Sequence, residues 1–130
     1  MPRRRAGAWL PLELEILDCA IALQHEGEGV YGFSIAKRLS EQDGRESLIA
    51  HGTLYKALAR MTAAGALESA WEDPSLSEAE GRPRRRLYRV TPVGQEAVTA
   101  ERQRLQQAER ERAASARPAA NGATAAVRHA

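Results

Sequence analysis

The chain has 130 residues, with 17 Arg against 2 Lys, 17 acidic residues and a formal net charge of only +2. That length suits one domain with a tail, and a domain of this size can bury a working core without staples. Cys19 has no second cysteine to pair with, and His25, His51 and His129 lack the spacing of a structural zinc site, so neither metal nor cofactor is expected. The most hydrophobic run, residues 10–23, is broken by Glu13, Glu15 and Asp18. Neither a membrane span nor a signal peptide is expected there, which reads as a cytoplasmic protein with no membrane partner.

The small net charge hides a segregated pattern. Residues 12–28 hold five acids (Glu13, Glu15, Asp18, Glu26, Glu28) and no Lys or Arg; residues 68–80 hold five more; residues 81–91 then hold Arg82, Arg84, Arg85, Arg86 and Arg89 with no acid. A polyanion responds to local potential rather than to the whole-chain sum.

In chain order, residues 1–11 read as a basic arm carrying Arg3, Arg4 and Arg5, either adding nonspecific affinity or simply solvated. A first helix follows, with Leu12, Ile16, Ala20 and Leu23 on one face and Leu10, Leu14, Leu17 and Ile21 on another, ending at residues 27–29. A helix apolar on two faces is usually buried between two bodies, here its own domain and a second subunit. Residues 31–39 form a second helix, residues 40–47 a turn containing Asp43-Gly44, and residues 50–64 a third helix closed by Gly65. The third helix buries Leu54, Leu58 and Met61 and shows His51, Thr53, Lys56, Ala59 and Arg60 on a face without acids. Leu67–Trp71 and Arg86–Val90 read as strands of a hairpin whose long polar tip is residues 72–83. Thr91-Pro92 starts the last helix, which reaches about residue 113, and the Ala-rich residues 114–130 read as a disordered tail.

Helix, helix, turn, helix, strand, basic loop, strand, helix is the order of a mainly α winged helix-turn-helix, with residues 12–91 as the DNA-binding domain and residues 92–113 as a separate C-terminal helix. In such a fold the third helix enters the major groove while the hairpin, or wing, lies along the phosphates. Arg suits a wing because its planar fork holds two phosphate oxygens at once. Nothing in the chain offers a nucleophile with its base, a phosphate-cradling glycine loop or a carboxylate pair in a recognisable motif, so an enzyme is not expected.

Residues 31–39 (YGFSIAKRL), residues 52–58 (GTLYKAL), Met61 with Gly65-Ala66-Leu67, and residues 84–94 (RRRLYRVTPVG) together resemble the PadR family of bacterial transcriptional regulators. The resemblance covers roughly residues 12–112, and the single last helix is similar to the compact branch of that family. It implies a homodimer on an inverted-repeat operator in double-stranded DNA, usually acting as a repressor. Dimer contacts would come from Leu12, Ile16 and Leu23 of the first helix with Val98, Leu105 and Ala108 of the last. By the same resemblance Thr53, Tyr55 and Lys56 fall on the recognition helix, Tyr55 being the first candidate for a phosphate contact, with Arg84, Arg85 and Arg82 supplied by the wing.

This chain departs from the family pattern in carrying Lys56 where Pro is frequent and Ala50 where a small polar cap is frequent. Some compact members bind aromatic effectors between their C-terminal helices, whereas the last helix here has no aromatic residue to line such a pocket.

Blander readings stand beside these. The Arg cluster could be a solvated hairpin loop, Tyr55 a core aromatic, and His51 a surface residue near a helix start instead of a base contact. Trp71 reads as packing at the strand end, Trp9 as packing rather than covering a dimer interface, and Cys19 as a small buried residue. The alternative function is a winged-helix interaction module that binds another regulator through its acidic segments without reading DNA.

Overall fold

The computed structural model describes residues 8–42 and 51–116, apart from the side chain of His51. The expectations for residues 1–7, for residues 43–47 of the expected turn and for residues 117–130 lie outside the described residues, while residues 40–42, expected in that turn, are helical. The chain divides into two compact units, Met1–Val98 and Thr99–Ala130. The elements run α1 (Pro11–His25), α2 (Gly32–Gln42), α3 (His51–Ala63), β1 (Leu67–Trp71), α4 (Pro74–Glu80), β2 (Arg86–Val90) and α5 (Pro92–Ala116).

α1 begins on Pro11, which suits a position whose N–H would have no helical partner. The Glu13 carboxylate reaches back to accept the Leu10 N–H at 3.0 Å, the return arm of a capping box. The helix then runs through the centre of the first unit. Ile16, Leu17, Cys19, Ala20, Ile21 and Leu23 are all buried, against Ile35 and Leu39 of α2, Leu54, Leu58 and Met61 of α3, Leu67 and Val90 of the sheet, and Ala97 and Val98 of α5. Each fully buried Leu, Ile or Met contributes about 1.5–3 kcal/mol, so this shared cluster, more than helix propensity, holds the elements together.

That packing corrects the two-body reading of α1. From Ile16 to Leu23 both of its apolar faces are covered within one chain, because a central helix in a small fold meets its own neighbours there, while its first turn is only partly covered. Ile16 and Leu23, at 0% and 5% exposure, and Val98, at 4%, are core residues with almost no surface to offer a partner. Leu12 is partly buried against the core, and Leu10 is exposed.

β1 and β2 pair antiparallel in the register Leu67↔Val90 to Trp71↔Arg86. On its other side β2 is tied to the segment before α2, Tyr88 N–H donating to the Val30 carbonyl at 2.9 Å. The connection is not the featureless polar loop expected over residues 72–83, since it folds into α4. Asp73 caps that helix by accepting the Ser75 N–H at 2.9 Å, Pro74 occupies the first turn, and Gly81 ends it at φ 65°. α5 starts the same way, Gly94 N–H donating to the Thr91 hydroxyl at 3.3 Å. It continues to Ala116, so residues 114–116 are helical where a tail was expected.

In the second unit, the part of α5 from Thr99 onward carries the ion pair Glu101–Arg104 at 2.8 Å, with Leu105 half exposed and Ala108 partly buried. No helix among the described residues is long and apolar enough to cross a membrane.

Candidate nucleic-acid interface

The helical period sorts α3 into two faces. Leu54, Ala57, Leu58 and Met61 are fully buried, while Thr53, Tyr55, Lys56 and Ala59 are exposed on the other side. Tyr55 is 46% exposed and therefore no core aromatic. Arg60, grouped by sequence with that face, sits differently: its Nε donates to Glu13 Oε2 at 3.2 Å, and the Glu13 side chain is wholly buried.

In the wing, folding sorts the arginines into two sets. Arg82 makes a two-pronged contact with Glu72, Nη1 to Oε1 at 2.7 Å and Nη2 to Oε2 at 2.8 Å, and its Nε reaches Glu80 Oε1 at 2.7 Å. The Arg82 guanidinium, seconded by the Arg85 backbone N–H, pulls the Glu72 carboxyl down to about 2, while Glu72 raises Arg82 further above its ordinary value. Arg89 pairs with Glu68 across the strands. Arg82 and Arg89 thus brace the hairpin from within.

Arg84, Arg85 and Arg86 have aromatic neighbours instead, and no carboxylate pairs with them among the described residues. The Arg85 guanidinium lies 4.2 Å from the Tyr31 ring centre; those of Arg84 and Arg86 lie 5.4 and 4.5 Å from that of Trp71. Each such contact is worth only about 0.5–1 kcal/mol at an exposed site, enough to bias orientation. Because stacking uses the guanidinium face and the N–H donors lie at its edge, a stacked arginine can still hydrogen-bond an anion.

These side chains meet the helical part in one groove of about 500 Å³ lined by Tyr31, Gly32, Phe33, Tyr55, Trp71, Tyr88 and residues 82–86. The structure therefore brings Tyr55 together with Arg82, Arg84 and Arg85, whereas Thr53 and Lys56 stay on the outer face of α3 and do not line the groove. Tyr31 and the 62% exposed Phe33 entered the sequence reading only as part of a family motif, and Trp71 only as packing at the strand end. Trp71 was within reach of it, since the hairpin register sets that residue opposite Arg86.

Three helices around one core, a hairpin beside them and a basic, aromatic groove at their junction define a winged helix-turn-helix protein. The profile described as the transcriptional regulator PadR-like family matches residues 21–100. The chain belongs to that family and is a transcriptional regulator rather than an enzyme.

Similar folds are found in a transcriptional regulator from Clostridium thermocellum, at TM-score 0.59 and 23% identity over 76% of this chain and 86% of that one. A PadR family transcription regulator from Clostridium difficile matches at TM-score 0.58 and 23% identity, over 76% and 91% of the two chains. A PadR-like transcriptional regulator from Bacillus cereus matches at TM-score 0.57 and 26% identity, over 77% and 85%. Among curated proteins no significant match is found.

Proposed function

We propose that the chain is a sequence-specific DNA-binding regulator, acting in the cytoplasm as a homodimeric repressor on an inverted-repeat operator. The observation that carries the proposal is the junction groove, in which Arg84, Arg85 and Arg86, unpaired with acids among the described residues, share one surface with Tyr55 of α3. α3 would enter the major groove with Thr53 and Lys56 toward base edges, while Tyr55, Arg84 and Arg85 hold phosphates. Arg82 would contribute indirectly, by bracing the wing. The first unit is the DNA-binding part, and α5 from Thr99 onward supplies dimer contacts through Leu105 and Ala108, with the exposed Leu10 and part-buried Leu12 of the other subunit.

Fluorescence polarisation with DNA from upstream of the protein's own gene, measured across a salt series, tests this reading. Specific binding that weakens steeply with salt is expected, because neutralised phosphates release counterions. Arg84→Ala with Arg85→Ala should weaken all sequences alike and flatten the salt slope by about two phosphate contacts' worth. An unchanged slope removes the wing from the interface, and no binding at low salt overturns the proposal. Leu105→Glu should lower the mass seen by light scattering.

A further inference from the structure

The Glu13 carboxyl is wholly buried and shared between two elements. Its Oε1 accepts the Leu10 N–H at the start of α1, and its Oε2 accepts the Arg60 Nε–H from the last turn of α3. A buried carboxylate is tolerated only when its partners are close and well placed, so losing one of them is costly. Arg60 follows from the same geometry: its ion pair with Glu13 draws the guanidinium inward, not outward with Thr53 and Lys56.

We propose that Glu13 and Arg60 form a strut that sets the position of the recognition helix relative to the N-terminal end of α1. Arg60 is a positioning residue and makes no phosphate contact. Displacing the start of α1 draws on the carboxylate that holds Arg60, so whatever engages Leu10 and Leu12 at that end alters how α3 presents Thr53 and Lys56. The exposed Leu10 and the part-buried Leu12 closely precede Glu13 in sequence, which places the strut beside the apolar surface left open at the start of α1. The inference about DNA affinity rests on the DNA-binding reading above; the inference about the strut itself does not.

Two measurements separate them. In the DNA-free protein, hydrogen exchange of the α3 amides should speed up in both Glu13→Gln and Arg60→Met, with Arg60→Lys intermediate, and the double variant should add little to either single one. Unchanged α3 protection in both variants overturns the strut, whether or not the protein binds DNA. Where Glu13→Gln fails to fold, Arg60→Met and Arg60→Lys carry the same comparison.

With operator DNA, Arg60→Met should lower affinity about fivefold or more while leaving the salt slope unchanged. A slope reduced by about 0.9, the signature of one lost phosphate contact, makes Arg60 a DNA ligand and overturns the proposal. Wild-type protein that binds no DNA overturns the proposed function, and the exchange experiment still decides the strut.

Discussion

The hydroxyl end of Tyr55 lies directly over the α-carbon of Gly32, so that a Cβ placed at residue 32 would sit 2.7 Å from Tyr55 Cζ and closer still to the hydroxyl oxygen. Gly32 opens α2 and Tyr55 projects from α3, so the absence of one side chain creates the seat for another. The three nearest atoms to that Cβ position all belong to Tyr55, the far end of a side chain that can swing away.

Gly32→Ala should therefore fold normally and move Tyr55. Thermal unfolding is expected within about 0.5 kcal/mol of wild type, as for a substitution that disturbs no core packing. DNA affinity should fall roughly tenfold, the scale of a lost hydrogen bond to a charged group. Equal affinity in the variant and in wild type would take Tyr55 out of the interface.

Acid should loosen the wing first. Glu72, at about 2 in the folded chain against an ordinary 4.5, adds stability that is complete above pH 4.5 and is lost as the pH falls toward 2. Urea midpoints at pH 7, 4 and 2.5 should fall steadily in wild type. In Glu72→Gln the midpoint should start lower and lose less across the same range, and parallel pH profiles for the two proteins would contradict the pairing with Arg82.

Cys19 should be chemically silent in the folded protein. Its Sγ contacts the Ile35 carbonyl at 3.6 Å, and burial pushes the thiol from 9.0 up to about 12. At pH 8 the thiolate population is then about a thousandfold below that of an ordinary cysteine, since labelling proceeds through the thiolate. Reaction with a disulfide reagent should be fast in urea and slow in buffer. Fast labelling of the native protein would show that the α1–α2 contact opens.

Gly94 is a packing constraint of a harder kind than Gly32. A Cβ there would come within 2.5 Å of the Ala66 carbonyl oxygen and 2.7 Å of Val90 Cγ1. Backbone cannot swing aside, so Gly94→Ala should destabilise by about 1–3 kcal/mol, the usual cost of overpacking a core. In a domain of this size each kcal/mol lowers the melting temperature by roughly 4–8 °C.

The strands were legible to the residue, because turn-forming and apolar residues bracket Leu67–Trp71 and Arg86–Val90. α5 was legible at its start through Thr91 and Pro92. α4 escaped notice although Asp73 and Pro74 carry the same capping signal, since a seven-residue helix has no apolar period to support it. Burial of α1 was misjudged because periodicity shows that a face is apolar but not what covers it.

For the site, the concentration of arginines was visible, and of their division into braces and stacked residues only the pairing of a strand arginine, Arg89, with Glu68 was within reach. That division depends on α4 carrying Glu80 to Arg82 and on Glu72 turning inward. The contact between Glu13 and Arg60 spans 47 residues, beyond any local pattern.

The pairing of Glu68, Glu72 and Glu80 with Arg89 and Arg82 has a thermodynamic corollary. In an unfolded chain the five acids of residues 68–80 and the five arginines of residues 81–91 are averaged together, and the segment is nearly neutral to an approaching polyanion. Only the folded wing spends its acids on two arginines and leaves three turned toward tyrosine and tryptophan rings. A polyanion that prefers the folded over the unfolded chain must, by mass action, raise the melting temperature as its concentration rises. DNA bound as proposed would on this view also be a folding ligand, and the regulator would be most stable where it is in use.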